Sequence, residues 1–340
     1  MKALVIHRYG GPDTLQIEDR PPPVVGGRDV LIDVKAASLN PLDAKLREGK
    51  VKLAVPLRFP AILGCDVAGV VTATGGEVTR FDVGDEVFVR LEKLRMGGLA
   101  EEVAAHEDVV AKKPANATFE EAAAVPLAGL TALQALRDVA KLQPGQRVLI
   151  QAGSGGVGSI AIQIAKILGL HVTTTTSTKN VDFVRSLGAD DVIDYTKDKL
   201  ADRASNLDAV FETLGGASEL EALGLVKRGG VVVGIGGLPD QAFARQWLPA
   251  WVRPAISLMT AKRRRVAART GVRFDYLFMR PDGGELAELA AWIDAGKLRP
   301  ILHAVYPFDQ IREAFADLER GRARGKIVVT FGQPAKSSST

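Results

Sequence analysis

The chain predicts an α/β protein in two parts, a barrel-like β region and a doubly wound parallel sheet. Three observations carry this prediction. Short apolar runs broken by turn residues fill residues 1–125. From about Pro126, strand-like runs alternate with helix-like ones. The glycine-rich string AGSGGVG stands at the first of those strand-to-helix changes. Many short strands with turn signals between them describe a barrel, and strands alternating with helices describe a parallel sheet covered on both faces.

The elements follow in order. Residues 30–34 and 67–73 read as strands, with Gly84-Asp85 and Gly97-Gly98 as turns. Residues 147–151 form a buried-strand candidate. Val157, Ile160, Ala161, Ile164, Ala165 and Leu168 then recur at helical spacing, and Gly169 is a natural helix stop. The β-branched stretch 170–176 reads as the next strand. Residues 179–187 read as helix, 191–193 and 209–213 as strands, 218–226 as helix and 231–235 as strand. From near Gly271 come a helix over 284–295, a helix over 308–320 and a final strand over 326–331. The tail GQPAKSSST is small and polar and is expected to fray.

Bulk properties narrow the classes. A length of 340 residues suits two domains, or one built around another. With 46% hydrophobic and 25% charged residues the balance is that of an ordinary globular protein. The net charge of +4 is compatible with a dinucleotide and is no signature of nucleic-acid binding. Cys65 is the single cysteine, which excludes an intrachain disulfide and a cysteine-rich metal site and fits a reducing compartment. The start MKALVIHRYGG lacks the pattern of a signal peptide, and no apolar run is long enough to span a membrane. A cytoplasmic protein is therefore expected.

Gly153, Gly155 and Gly158 spell G-x-G-x-x-G between a strand and a helix, the context that makes this pattern informative. Glycines let the backbone turn tightly and approach a pyrophosphate, and the helix N-terminus offers free N–H groups and partial positive charge. Ser154, Gly156 and Val157 complete the loop. An NAD site usually carries Asp or Glu at the end of the second strand. Here the string is Thr173-Thr174-Thr175-Thr176-Ser177-Thr178-Lys179, and the first acid is Asp182. Hydroxyls and an ammonium suit a 2′-phosphate, so NADPH is expected over NADH.

Several ordered motifs resemble the quinone oxidoreductase (zeta-crystallin-like) and alkenal/enone reductase branch of the medium-chain dehydrogenases/reductases. They are SLNPLDAKLREG, FPAILGCDVAGVV, VGDEVFV, PLAGLTALQAL, AGSGGVG, SLGADDVIDY and RARGKIVV. The resemblance implies a discontinuous GroES-like catalytic domain, residues 1–125 and 271–340, around a Rossmann NADP-binding domain, residues 126–270. It also implies an active site in the interdomain cleft and a homodimer or homotetramer.

Zinc relatives carry a cysteine where this chain has Asn40 and Gly-His-Glu where it has Gly64-Cys65-Asp66. His7, His106, His171 and His303 show no ligand spacing. A zinc-independent enzyme is therefore expected. Zinc stabilises an alkoxide; conjugated acceptors spread the charge over an enolate or hydroquinone anion, which hydrogen-bond donors can stabilise. A quinone or enone acceptor follows.

By resemblance, Asn40 faces nicotinamide and substrate, Lys45 polarises a carbonyl, and Asp43 orients the loop or pairs with Lys45. Thr131, Phe278 and Met279 are expected at the nicotinamide end. Ser177, Lys179 and Tyr195 are expected around the 2′-phosphate. Thr213, Gly234 and Ile235 are expected on the cofactor edge, and Lys326 or Arg322 near the phosphates. Two rival functions stand beside this one. The first is an enoyl-thioester reductase. The second is a reductase-fold protein whose main role is RNA or membrane-surface binding through the basic stretch within residues 238–270.

Overall fold

The structure, a computed structural model, describes residues 1–332; the last eight positions of the tail lie outside them. The chain divides into two compact units, Met1–Leu130 with Arg280–Thr340, and Thr131–Met279.

The first unit contains β1 (Lys2–Ile6), β2 (Gln16–Asp19), β3 (Asp29–Leu39), β4 (Ala61–Ile62), β5 (Asp66–Thr74), β6 (Glu86–Arg90), β7 (Glu102–His106) and β8 (Val110–Lys112). The second contains β9 (Arg147–Ile150), β10 (His171–Thr176), β11 (Asp191–Asp194), β12 (Leu207–Glu212), β13 (Val226–Gly234) and β14 (Arg273–Tyr276). The chain then returns to the first unit with β15 (Leu302–Pro307) and β16 (Lys326–Thr330).

In the first unit β2-β1-β4 form a small sheet, and β15-β16-β3-β5-β6-β8 form a larger one in which β7 also pairs with β3. β16 lies antiparallel to β3, Ile327 opposite Leu39 and Thr330 opposite Ala36. Val30, Ile32, Val34, Ala36, Val67, Val87, Val89 and Val328 are buried between these strands. Arg47, the last residue of the helix Pro41–Arg47, is fully buried. It donates to Glu319 at 2.6 Å and lies over the Phe315 ring, which ties the early chain to the late one.

The second unit is a six-stranded sheet in the order β11-β10-β9-β12-β13-β14, all pairs parallel. In chain order this is 3-2-1-4-5-6, the doubly wound arrangement of dinucleotide-binding folds. The helix Gly156–Ile167 forms because Ile160, Ala161, Ile164 and Ala165 fall on the buried side. Gly169 stops it with φ of 74°.

The two units change over at Leu130/Thr131 and Met279/Arg280, not at 125/126 and 270/271 where the sequence texture changes. The second shift has a direct cause: residues 273–276 pair in parallel with β13, so the sheet extends past Gly271. The stretch expected as one helix over 179–187 is a 3-10 turn, Thr178–Asn180, followed by the helix Val181–Ser186. Residues 238–270 form three α-helices, Gln241–Trp247, Arg253–Met259 and Ala261–Thr270, with a 3-10 helix, Ala250–Val252, between the first two.

Candidate active site

Each unit contributes its own constellation. In the second unit, parallel pairing brings the C-terminal ends of the strands to one edge, where open α/β sheets bind ligands. β9 runs into Gln151–Gly155 and the helix Gly156–Ile167, whose N-cap Gly155 has no side chain to cap it. The first-turn amides therefore remain available to an anion. The turn is tight. A Cβ on Gly153 would stand 2.1 Å from Thr174 Oγ1, and one on Gly158 2.3 Å from the Ala152 carbonyl. Gly153 brings the loop onto β10, and Gly158 brings the helix start onto the loop, as a pyrophosphate cradle needs.

Ser154 accepts hydrogen bonds from Thr176 and Asn180, both at 3.2 Å, so the loop is joined to the end of β10. Ser177 is half-buried there and Lys179 is exposed. An acid does stand beside them, one that reading along β10 misses. Asp194, on neighbouring β11, lies opposite Thr176. It accepts from Thr178 at 2.5 Å and from Thr196 at 2.7 Å, and these hydroxyls hold its carboxyl down to about 2. Its oxygens are thus engaged by neighbouring hydroxyls. Tyr195 is 64% exposed.

Thr213 bonds the Gln151 carbonyl at 3.3 Å, next to the glycine loop. Gly234 is packed beneath the Phe274 ring, and Ile235 donates to the Glu212 carbonyl. Glu212 is buried and its carboxyl is pushed up by desolvation, while its Oε1 accepts from the amides of Leu214 and Gly215. Phe278 is held edge-on by Phe243 and Trp247, at 5.1 and 5.0 Å, and Met279 is buried. Thr131, at the other end of this unit, is also buried.

The first unit holds a buried polar cluster around Asn40. Its side-chain N–H donates to Asp66 at 2.9 Å, and its Oδ1 accepts from the Lys326 ammonium. Both ends of this amide are therefore engaged within the protein. Lys326 also donates to the Leu39 carbonyl at 3.0 Å and lies 3.8 Å from Asp66. Asp66 accepts from Ser38 at 3.1 Å and from the Leu127 amide at 3.0 Å. Burial pulls Lys326 down and pushes Asp66 up, and each one's charge opposes the other's shift. Cys65 is completely buried beside them, its thiol raised well above the usual range.

One expectation changes, and of the two roles expected of Asp43 one falls away. Lys326 was expected near the phosphates, but it is 5% exposed and its ammonium is spent on Leu39, Asn40 and Asp66. Asp43 does not pair with Lys45. It is fully buried and accepts the Asn40 backbone N–H at 2.8 Å, which fixes the start of the helix Pro41–Arg47. Desolvation raises its carboxyl to about 7. Lys45 is exposed on the same helix, and Arg322 lies on the loop before β16. This unit also holds a cavity of about 590 Å³ lined by Leu57, Arg58, Ile62, Lys93, Leu94 and Met96. Burial lowers Lys93 there to about 8.

Each histidine neighbours a different carboxylate: His7 with Glu18, His106 with Asp108, His171 with Asp191 and His303 with Asp317. Among the described residues no three His, Cys, Asp or Glu side chains are grouped as a metal ion would require. No helix among them is long and apolar enough to cross a membrane.

A dinucleotide-type parallel sheet joined to a β unit, with an uncapped glycine turn at the sheet edge, defines a nicotinamide-dependent oxidoreductase. The chain belongs to the medium-chain dehydrogenase/reductase family, in its quinone oxidoreductase and alkenal/enone reductase branch. Residues 26–135 match the alcohol dehydrogenase GroES-like domain and residues 187–329 match the zinc-binding dehydrogenase domain. The chain is 35% identical to NAD(P)H oxidoreductase RTN4IP1, mitochondrial, of Danio rerio, over 99% of this chain and 92% of that one. It is 37% identical to the chloroplastic NADPH-dependent alkenal/one oxidoreductase of Arabidopsis thaliana, over 97% of this chain and 79% of that one. The quinone oxidoreductase of Coxiella burnetii superposes with a TM-score of 0.85 at 32% identity, covering 98% of this chain and 99% of that one.

Proposed function

We propose that the protein takes hydride from NADPH and delivers it to a quinone or to the C=C of an α,β-unsaturated carbonyl compound, without zinc. The observation that carries this reading is the uncapped, closely packed Gly153–Gly158 turn bonded through Ser154 to a strand end bearing hydroxyls and Lys179. The relatives' printed activities are of the same kind.

NADPH, when bound, supplies the hydride. The chain's residues do the rest. The amides of Gly156, Val157 and Gly158 receive the pyrophosphate, and Ser177, Lys179 and Tyr195 receive the 2′-phosphate. Thr131, Thr213, Gly234, Ile235, Phe278 and Met279 shape the rest of the cofactor site. At the acceptor, Lys45 supplies the ammonium for the developing oxyanion. Asn40 and Asp43 position the helix that carries it. The Asn40 amide is held by Asp66 and Lys326, so its part is to hold the geometry. With Asn40 and Cys65 at the positions of zinc ligands, conjugated acceptors are favoured over simple ketones.

The test is NADPH oxidation against a panel of quinones, short enones, enoyl-thioesters and simple ketones, with metal analysis of the same sample. Turnover of quinones or enones by metal-free protein supports the reading. Turnover of enoyl-thioesters alone selects the enoyl-thioester reductase, and stoichiometric zinc overturns the metal-free mechanism. Replacing Lys45→Met should lower kcat on enones by about a hundredfold, the usual loss of one oxyanion donor. The same reading carries a homodimer or homotetramer, to be checked by light scattering, and no role in nucleic-acid binding. It also carries a reducing compartment such as the cytoplasm, to be checked by fractionating cells.

A further inference from the structure

Residues 241–274 contain eight Lys and Arg residues and no Asp or Glu. The helices Arg253–Met259 and Ala261–Thr270 meet at Thr260 and are anchored along one side. Ile256, Thr260 and Arg263 are buried. Arg263 pairs with Glu219 at 2.7 Å and lies 3.9 Å from the centre of the Phe274 ring. A helix turns about 100° per residue, so 256, 260 and 263 share one face and 258, 262, 265 and 269 share the opposite one. The exposures follow this division. Leu258 is 78% exposed, and Lys262, Arg265 and Arg269 are exposed. Trp251, seven residues before Leu258, is 75% exposed, and Met259 is 62% exposed. Lys262, Arg265 and Arg269 have no acidic partner among the described residues.

We propose that this outer face docks on an anionic lipid bilayer surface. Trp251, Leu258 and Met259 enter the headgroup region, while Lys262, Arg265 and Arg269 meet lipid phosphates and carboxylates. The two halves point to one occupant. Trp, Leu and Met side chains left in water along one short segment mark an interaction surface, and the unpaired cations that follow them in the chain select an anionic partner. Apolar insertion and polybasic attraction are the two signals that interfacial helices combine. A second copy presenting the same face would meet like charge. Nucleic acid would satisfy the cations but not the aliphatic side chains. The second helix is already anchored on the parallel-sheet unit through Arg263, so docking needs no ordering of it.

The test is co-sedimentation of the full chain with vesicles of phosphatidylcholine alone and of phosphatidylcholine mixed with phosphatidylserine. Binding to the mixed vesicles only, weakening with salt, is expected. The triple variant Lys262→Gln, Arg265→Gln, Arg269→Gln should lose about a hundredfold in partitioning, at roughly fivefold per charge. Trp251→Ser with Leu258→Ser should also bind weakly at unchanged salt. NADPH affinity should stay unchanged in both variants, which shows that the sheet remains folded. Three results overturn the proposal. One is no binding to the mixed vesicles at low salt. Another is RNA binding that survives the Trp251 and Leu258 replacements while vesicles are ignored. The third is an oligomer that dissociates when Leu258 is replaced.

Discussion

Asp43 is the residue whose environment makes the sharpest demand. Burial penalises the charged form and pushes its carboxyl from the ordinary 3.8 up to about 7. The folded state therefore holds this proton more tightly than the unfolded one. The resulting stability is full below about pH 4 and is lost as pH rises towards 7. Asp43→Asn keeps an acceptor for the Asn40 amide and removes the titration. Its melting temperature should fall less between pH 5 and pH 8 than that of the parent, as read by circular dichroism. Lys326 makes a second demand. Lys326→Met leaves Asp66 and the Asn40 carbonyl oxygen buried without their cation, at a cost of about 3–5 kcal/mol in urea unfolding.

Along the sequence these residues are far apart: Asn40 and Asp66 are separated by 26 positions, Asn40 and Lys326 by 286. The antiparallel pairing of β5 with β3 brings Asp66 to Asn40, and that of β16 with β3 brings Lys326. The string Gly64-Cys65-Asp66 is visible for what it lacks, a zinc ligand, and gives no sign of what Asp66 accepts.

At the scale of elements the glycine turn was legible because its meaning is local. Strand, tight turn and helix follow within a few residues, and each glycine answers to a nearby atom. Gly158→Ala places a Cβ against the Ala152 carbonyl. NADPH affinity should fall at least tenfold in a fluorescence titration, with some loss of stability. The end of β10 was half legible. Its hydroxyls and Lys179 are contiguous, but Asp194 comes from the adjacent strand. If Lys179 holds the 2′-phosphate, Lys179→Ala should raise the KM for NADPH about tenfold and leave that for NADH nearly unchanged. β14 was not legible as part of the nucleotide unit. Four residues are too few to carry a strand pattern of their own, and only the pairing with β13 shows where they belong. The aromatic brace of Phe243 and Trp247 on Phe278 was also hidden, since it crosses some 30 positions.

For the whole molecule, two compact units make unfolding a matter of two cores. A cofactor seated on the parallel sheet stabilises the unit that binds it. NADPH at about a hundred times its Kd should add ~2.7 kcal/mol to that unit's transition. Calorimetry should show this transition moving and the other following only as far as the two are coupled. Ligand-free protein in which NADPH shifts nothing would contradict the cofactor assignment.

β16 enters the larger sheet between β15 and β3, and it brings Lys326 to Asn40. On the ribosome this reverses the order in which the parts mature. The parallel sheet of the middle segment has all its strands once residue 276 has emerged. The β unit, although its chain begins first, waits with residues 36–39 of β3 unpaired on one side until β16 has emerged. A nascent chain stalled before Lys326 should therefore present a finished nucleotide fold beside a protease-sensitive, edge-exposed amino-terminal half.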